Sequence, residues 1–238
     1  MSVSVLILSV DTSSPSGSLA VLREQALIAQ VCASNSEPYS SRMFRQLEFL
    51  LGEVSLGLEQ FDLFAVVAGP GSFTGLRVGL TAAKAWAEAY KKPVVAVSGL
   101  EAVAEQAASR AATLVSVLDA RRGEVYFGVY ARAAEGPEVQ GVESVATREE
   151  FVAALERLGE KGRYCVVSPG RDMFTGVLAG LDARLAEIEL VSPFLAASAG
   201  RIGYRRAQRD AVSDALSLDA NYVRRSDAED QAKGTRAG

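Results

Sequence analysis

There is no histidine among the 238 residues. Histidine is the usual general base near neutral pH and the commonest metal ligand. Its absence excludes Ser-His-Asp triads, HExxH zinc sites and histidine-relayed proton transfer together. Chemistry in this chain would have to rest on carboxylates, lysine, hydroxyls or a metal held by oxygen. Cysteine is scarce as well. Cys32 and Cys165 are far apart and each lies in an apolar stretch, which predicts two buried reduced thiols in a cytoplasmic protein. Membrane-length apolar runs are missing, since residues 3–10 are too few to span a bilayer. That run has no basic flank and ends in Asp11, so it reads as a strand and not a signal peptide. There is no excess of basic charge either. A net charge of −4 argues against non-specific binding to a nucleic-acid backbone by this chain alone, though not against a partner that supplies the basic surface.

What is present suits an ordinary globular protein with a real core. Apolar residues make up 49% and charged residues 23%, with both signs mixed, and the length allows one large or two small domains. Residues 3–10 and 18–23 read as strands joined by DTSSPSG, with a third strand at 27–33. Pro38, Ser40 and Ser41 announce a helix. Met43, Phe44, Leu47, Leu50, Leu51 and Val54 make its apolar face, with Arg42, Arg45, Gln46, Glu48 and Glu53 opposite. Phe49 lies off that stripe and widens the apolar surface. A strand at 64–68, a glycine loop, a helix at about 74–89, a strand at 94–97 and a helix at about 100–111 follow.

The second half opens as the first does. LVSVLDARRGEVYFGVY repeats the strand, Asp, turn, strand order of VLILSVDTSSPSGSLAV, with Asp119 in the place of Asp11. A third strand at 139–145 and a helix from Thr147, with Glu150 completing a capping box, come next. Strands at 164–167 and 188–191 precede a helix that Ser192-Pro193 starts and that runs to about Gln208. The two halves therefore suggest a duplicated α/β unit. Residues 1–110 form the first subdomain and 111–228 the second, the helix at about 194–208 packing back on the first. Residues 229–238 read as a disordered tail.

GPGSFTGLRVGL, residues 69–80, has the look of a phosphate loop. It fits neither standard form. Gly69 and Gly75 are one position too far apart for a Walker A loop, and Leu76-Arg77 stands where Lys-Ser belongs. As a dinucleotide loop, Gly69 and Gly71 are followed by Gly75 one residue late. Gly75, Gly79, Ala83 and Ala87 instead recur every four residues, a stripe along which another backbone can approach closely. Two interior helix glycines cost about 1 kcal/mol each relative to alanine, so something packs there. A strand of the same chain and a second protein are both open as that something.

Taken with VDTSSPSGSLAV, DARRGEVY and NYVRRSDAE, the glycine motif resembles the TsaB (YeaZ) family, dimerisation subunits of the bacterial tRNA threonylcarbamoyladenosine machinery. The resemblance covers nearly the whole chain in order. It implies the actin, Hsp70 and sugar-kinase-like (ASKHA) α/β fold, with two related subdomains each built on a mixed sheet. It also implies a non-catalytic paralogue of TsaD, whose two metal-binding histidines match Gly99 and Val103 here; no catalytic residue and no metal ligand are expected. The implied partners are a TsaD-type catalytic subunit, a TsaE-type ATPase, and tRNA through the complex, with a homodimer open for the isolated chain and no membrane. The expected interface is Met43, Phe44, Leu47, Leu50 and Leu51 with Gly75, Gly79 and Ala83.

The fold's nucleotide site is expected only as a remnant, at Asp11, Thr12, Ser13, Gly69, Gly71 and Asp119. Arg121 and Arg122 stand where a phosphate would approach the second turn, and Gly170 alone remains of an adenosine-binding glycine pair. No cofactor is expected, with weak ATP or ADP binding with magnesium at a subunit interface left open. The rival reading is a small-molecule kinase or ATPase of the same fold that uses Asp11 as its metal-linked carboxylate. A peptidase finds no zinc ligands, histidine or paired nucleophile to work with.

Overall fold

The computed structural model describes residues 4–170, 184 and 186–212. The NYVRRSDAE stretch and the expected tail lie outside them. Alternating apolar strands and amphipathic helices build two sheets with one repeated plan. In the first, β1 (Leu6–Asp11), β2 (Ser16–Arg23) and β3 (Ala26–Ser34) form an antiparallel meander. β4 (Leu63–Gly69) and β5 (Val94–Ser98) then add parallel to β1, giving the order β3-β2-β1-β4-β5. In the second, β6 (Thr113–Arg121) and β7 (Glu124–Ala133) are antiparallel. β10 (Tyr164–Ser168) lies parallel to β6, and β11 (Ala186–Leu190) parallel to β10. The place of β3 is taken by two short strands, β8 (Gly136–Val139) and β9 (Ser144–Thr147), both on β7. The expected strand at 139–145 is thus divided, around Gly141 in the left-handed region at φ 95°.

Helices α1 (Tyr39–Val54) and α2 (Phe73–Tyr90) cover one face of the first sheet, closing a core of Leu8, Val10, Met43, Leu47, Phe64 and Trp86. The opposite face carries α5 (Ala196–Ala207), which follows the second sheet in sequence but packs on β1, β2, β4 and β5 of the first. Reciprocally, α3 (Gly99–Ala104) packs on β6 and β7. This exchange merges both sheets into one core containing Ile7, Val67, Leu114, Tyr130 and Ile202. α4 (Arg148–Gly159) sits on the far face of the second sheet over Val115, Val117 and Val166. Its Thr147–Glu150 capping box forms as expected.

Two helix boundaries differ from expectation, and tertiary contacts set both. α3 stops seven residues early, because the Glu189 carboxylate on β11 accepts the amides of Ala108 and Ser109 at 2.7 and 3.0 Å. α5 begins at Ala196 and not at Pro193. Ser192 turns back to accept the Phe194 amide, and the amides of Leu195 and Ala196 are taken by Asp11 and Ser18. The thiols also part company. Cys165 is buried, whereas Cys32 is exposed on the outermost strand of the first sheet.

Candidate functional site: an interlobe cleft and an outer helix face

The glycine loop is filled by the chain itself. β4 ends at Gly69, at φ 124°, and the next residues lie directly on the β1–β2 turn. Ser72 donates its amide to the Ser13 carbonyl at 2.7 Å. A Cβ on Gly71 would stand 2.3 Å from that same oxygen, and one on Gly75 2.1 Å from the Thr12 carbonyl oxygen. A Cβ on Gly79 would stand 2.4 Å from Thr12 Oγ1, which donates to the Gly75 carbonyl at 2.7 Å. Ser72 caps α2 by accepting the Gly75 amide. The small stripe is therefore the seat of the chain's own turn. The expectation that Gly75, Gly79 and Ala83 meet a partner is corrected: all three are buried within the chain.

The same packing holds several of the expected nucleotide residues. Asp11, Thr12 and Ser13 are buried. Asp11 Oδ1 accepts the Ser13 amide at 2.9 Å and the Ser13 hydroxyl at 2.7 Å, and Oδ2 accepts the Leu195 amide at 3.4 Å. Burial raises the Asp11 carboxyl to about 6, with these bonds pulling the other way. Its function here is to tie the turn to the start of α5, which has no side-chain cap of its own. In the second half, Asp119 Oδ1 accepts the Arg121 amide at 2.8 Å, and Arg121 Nη1 lies 3.8 Å from Oδ2. Arg121, Arg122 and Gly123 hold left-handed φ of 66°, 54° and 83° in the turn.

Between the two turns lies a cleft of about 890 Å³. Ser13, Gly71 and Asp119 line it together with Arg121 and Gly170, while Asp11, Thr12 and Gly69 do not. The structure thus brings half of the expected set to one cleft and puts the rest beneath its floor. Sequence reasoning missed two residues there. Tyr39 donates its hydroxyl to the Ser14 carbonyl at 2.6 Å, and burial and the Asp11 charge hold that phenol well above its usual range. Arg42, expected on the polar side of α1, is buried. Its guanidinium lies 3.9 Å from the Tyr39 ring centroid and donates to the Pro15 and Ala33 carbonyls. The spacing of Tyr39 and Arg42 by three positions on one helix was the available signal.

Gly99 and Val103, which the resemblance would set at a relative's metal ligands, are buried and have no side-chain donor atom for a metal. Among the described residues no three carboxylates or thiols gather as a metal site would require. Beside them Ser98 and Tyr130 each donate to Glu143 Oε1 at 2.5 Å, closing the start of α3 against the second half.

The outer side of α1 and α2 is different in kind. Met43, Leu47 and Leu50 point inward and are buried, and Leu51 is half-buried, so the expected apolar face of α1 is mostly core. Phe44 is 55% exposed, Phe49 61% and Phe73 42%. Arg77 stacks over the Phe73 ring at 3.8 Å. Of the expected partner face, Phe44 is the exposed residue; Phe49, on another side of α1, and Phe73, at the start of α2, are exposed as well.

Residues 28–189 match the family model described as TsaD: tRNA N6-adenosine threonylcarbamoyltransferase. The tRNA threonylcarbamoyladenosine biosynthesis protein TsaB of Bacillus subtilis (strain 168) is 36% identical over 124 residues, 52% of this chain and 54% of that protein. The protein of the same description from Haemophilus influenzae is 35% identical over 130 residues, 53% of this chain and 54% of that one. The chain thus spans about half the length of the curated relatives it matches. YeaZ from Pseudomonas aeruginosa has the same fold, with a TM-score of 0.76 at 24% identity over 92% of this chain and 99% of that one. The chain belongs to the TsaD family of tRNA N6-adenosine threonylcarbamoyltransferases, and within it the similarities run to the TsaB and YeaZ proteins.

Proposed function

We propose that the chain is a partner subunit without chemistry of its own. It binds a TsaD-type catalytic subunit and supports transfer of threonylcarbamoyl from threonylcarbamoyl-AMP to N6 of adenosine 37 in tRNA. The observation that carries this reading is the trio of exposed phenylalanines on α1 and α2, Phe44, Phe49 and Phe73. Large exposed aromatics on one helix pair are the anchors that protein interfaces use. The spent Asp11 carboxylate supports the absence of catalysis, since both of its oxygens already accept bonds inside the protein. A TsaE-type ATPase and tRNA join through the complex, in the cytoplasm. The isolated chain self-pairs when its partner is absent, and any ATP or ADP bound with magnesium sits at a subunit interface, held weakly.

Reconstitution tests this reading. The catalytic subunit should form threonylcarbamoyladenosine only when this chain is added, and Phe49→Arg should abolish the gain while leaving the fold intact. Magnesium-dependent ATP hydrolysis by the isolated chain, lost in Asp11→Asn, would instead establish the kinase or ATPase alternative.

A further inference from the structure

We infer that Glu143 is a hinge clamp, a positioning residue whose carboxylate ties the crossing between the lobes and so fixes the opening of the interlobe cleft. The chain passes between the lobes twice. It leaves β5 at Ser98 to enter α3, which packs on the second sheet, and it returns from β11 through residues 191–195 to α5, which packs on the first. Rotation of one lobe against the other has to turn at these connections, since hinge motion is absorbed by a few residues at element ends. The outgoing crossing carries the more buried tie. Ser98 caps α3, its hydroxyl oxygen accepting the amides of Leu100 and Glu101 at 3.1 and 3.5 Å. Its one proton goes to Glu143 Oε1 at 2.5 Å, and Tyr130 on β7 donates to that same oxygen at 2.5 Å. Ser98 of the first lobe and Tyr130 of the second thus share one acceptor. The return crossing is held by Gln106, which exchanges two bonds with the Ser192 backbone at 3.1 and 3.2 Å in an exposed position.

The loop that carries Glu143 is shaped to deliver it. Between β8 and β9, Gln140 donates its amide to the Val129 carbonyl at 2.7 Å and Gly141 takes the left-handed φ of 95°. Val142 is then turned outward, 86% exposed, and Glu143 inward. On β7 beneath it, a Cβ on Gly128 would stand 3.0 Å from the Tyr130 hydroxyl and 3.3 Å from Glu143 Cγ, so the strand is bare where the pair meets. A residue that only filled this space would be apolar. Burial raises the Glu101 carboxyl, Arg206 opposes the rise and Glu143 adds to it, so a second carboxylate here is costly. What it supplies is direction. The apolar core shared by the lobes is non-directional and by itself permits sliding, whereas two hydrogen bonds from opposite lobes to one oxygen do not. Tyr130 remains a donor throughout, because burial and the Glu143 charge hold its phenol far above the usual range. The inference does not depend on the proposed function.

A distance measured between the lobes of the full chain tests it. Spin labels are placed at Ser36→Cys, on the first-lobe wall of the cleft, and at Glu149→Cys, at the start of α4 on the second lobe; both positions are exposed. The background is Cys32→Ser, and Cys165 is buried and stays unlabelled. With Glu143 in place the distance distribution should be single and narrow. Glu143→Ala should broaden it about twofold or more. Glu143→Gln keeps an oxygen that accepts both hydroxyls and should restore the original width. Tyr130→Phe removes one donor and keeps the ring; it should give an intermediate width, and it decides the matter if Glu143→Ala fails to fold. An unchanged distribution in the variant that folds, with only a lower melting temperature, would overturn the inference, since Glu143 would then stabilise the fold without setting the cleft. So would a broad distribution with Glu143 in place, which would show the lobes moving against a closed clamp.

Discussion

Adding one methyl group at Gly75 or Gly79 should separate the two ways of reading the small-residue stripe. On an open helix face, glycine to alanine stabilises by about 1 kcal/mol, through helix propensity alone. Here each Cβ enters the turn below it. At Gly75 the obstacle is the Thr12 carbonyl oxygen, 2.1 Å away, which is backbone and moves only with the whole β1–β2 turn. At Gly79 it is Thr12 Oγ1, 2.4 Å away, which is side chain. Overpacking costs typically about 1–3 kcal/mol. Gly75→Ala should therefore lose about 2 kcal/mol net or more, and Gly79→Ala about 0–2 kcal/mol. Thr12→Ala removes the Gly79 obstacle and with it the bond to the Gly75 carbonyl, a loss of about 1 kcal/mol. Combined with Gly79→Ala it should be less damaging than the sum of the two, with a coupling of about 1 kcal/mol or more. Combined with Gly75→Ala it should give no such relief. Urea unfolding of the three single and two double variants reads these values directly. A Gly75→Ala chain more stable than wild type would refute the packing described here and return the stripe to an outside partner.

Asp11 should leave a mark on the pH dependence of stability. Its carboxyl rises from 3.8 to about 6 on folding, so the folded state holds the proton more tightly. Stability should therefore be greatest below about pH 4 as far as this group is concerned, and should fall by about 3 kcal/mol as pH rises through 6. Chemical denaturation across that range should show the slope in wild type and a flattened curve in Asp11→Asn. Tyr39→Phe removes only the hydroxyl that donates to Ser14; it should cost about 1 kcal/mol in thermal unfolding and leave partner binding intact. Phe44→Ala and Phe49→Ala remove exposed side chains, and each should weaken binding to the catalytic subunit by more than about 1 kcal/mol in calorimetry while changing stability little.

The duplicated plan was legible because local chemistry fixes it. Asp11 ends β1 and Asp119 lies two residues before the end of β6, each just ahead of a tight turn, and the sheets that grow from those hairpins have matching strand orders. The Thr147–Glu150 cap was equally legible, since all of its partners lie within one turn. What sequence left undecided was what meets what. A stripe of glycines states that a backbone comes close, but not whose; Thr12 is sixty-three positions from Gly75. The early stop of α3 depends on Glu189, about eighty positions on, and the start of α5 on Asp11 and Ser18, nearly the whole described chain away. Arg42 read as solvated because charge on a helix usually is; the Tyr39 ring and two carbonyls hold it inside. The apolar face of α1 was correctly found and wrongly aimed. Met43, Leu47 and Leu50 are core, and the residues open to a partner include Phe49, which had fallen off the stripe.

The central claim is that this chain supports tRNA modification through a catalytic partner. The most direct measurement is mass spectrometry of nucleosides from bulk tRNA after depletion of the chain, with wild type or Phe49→Arg supplied back. Threonylcarbamoyladenosine should disappear on depletion, return with wild type and stay absent with Phe49→Arg. An unchanged level after full depletion would contradict the account.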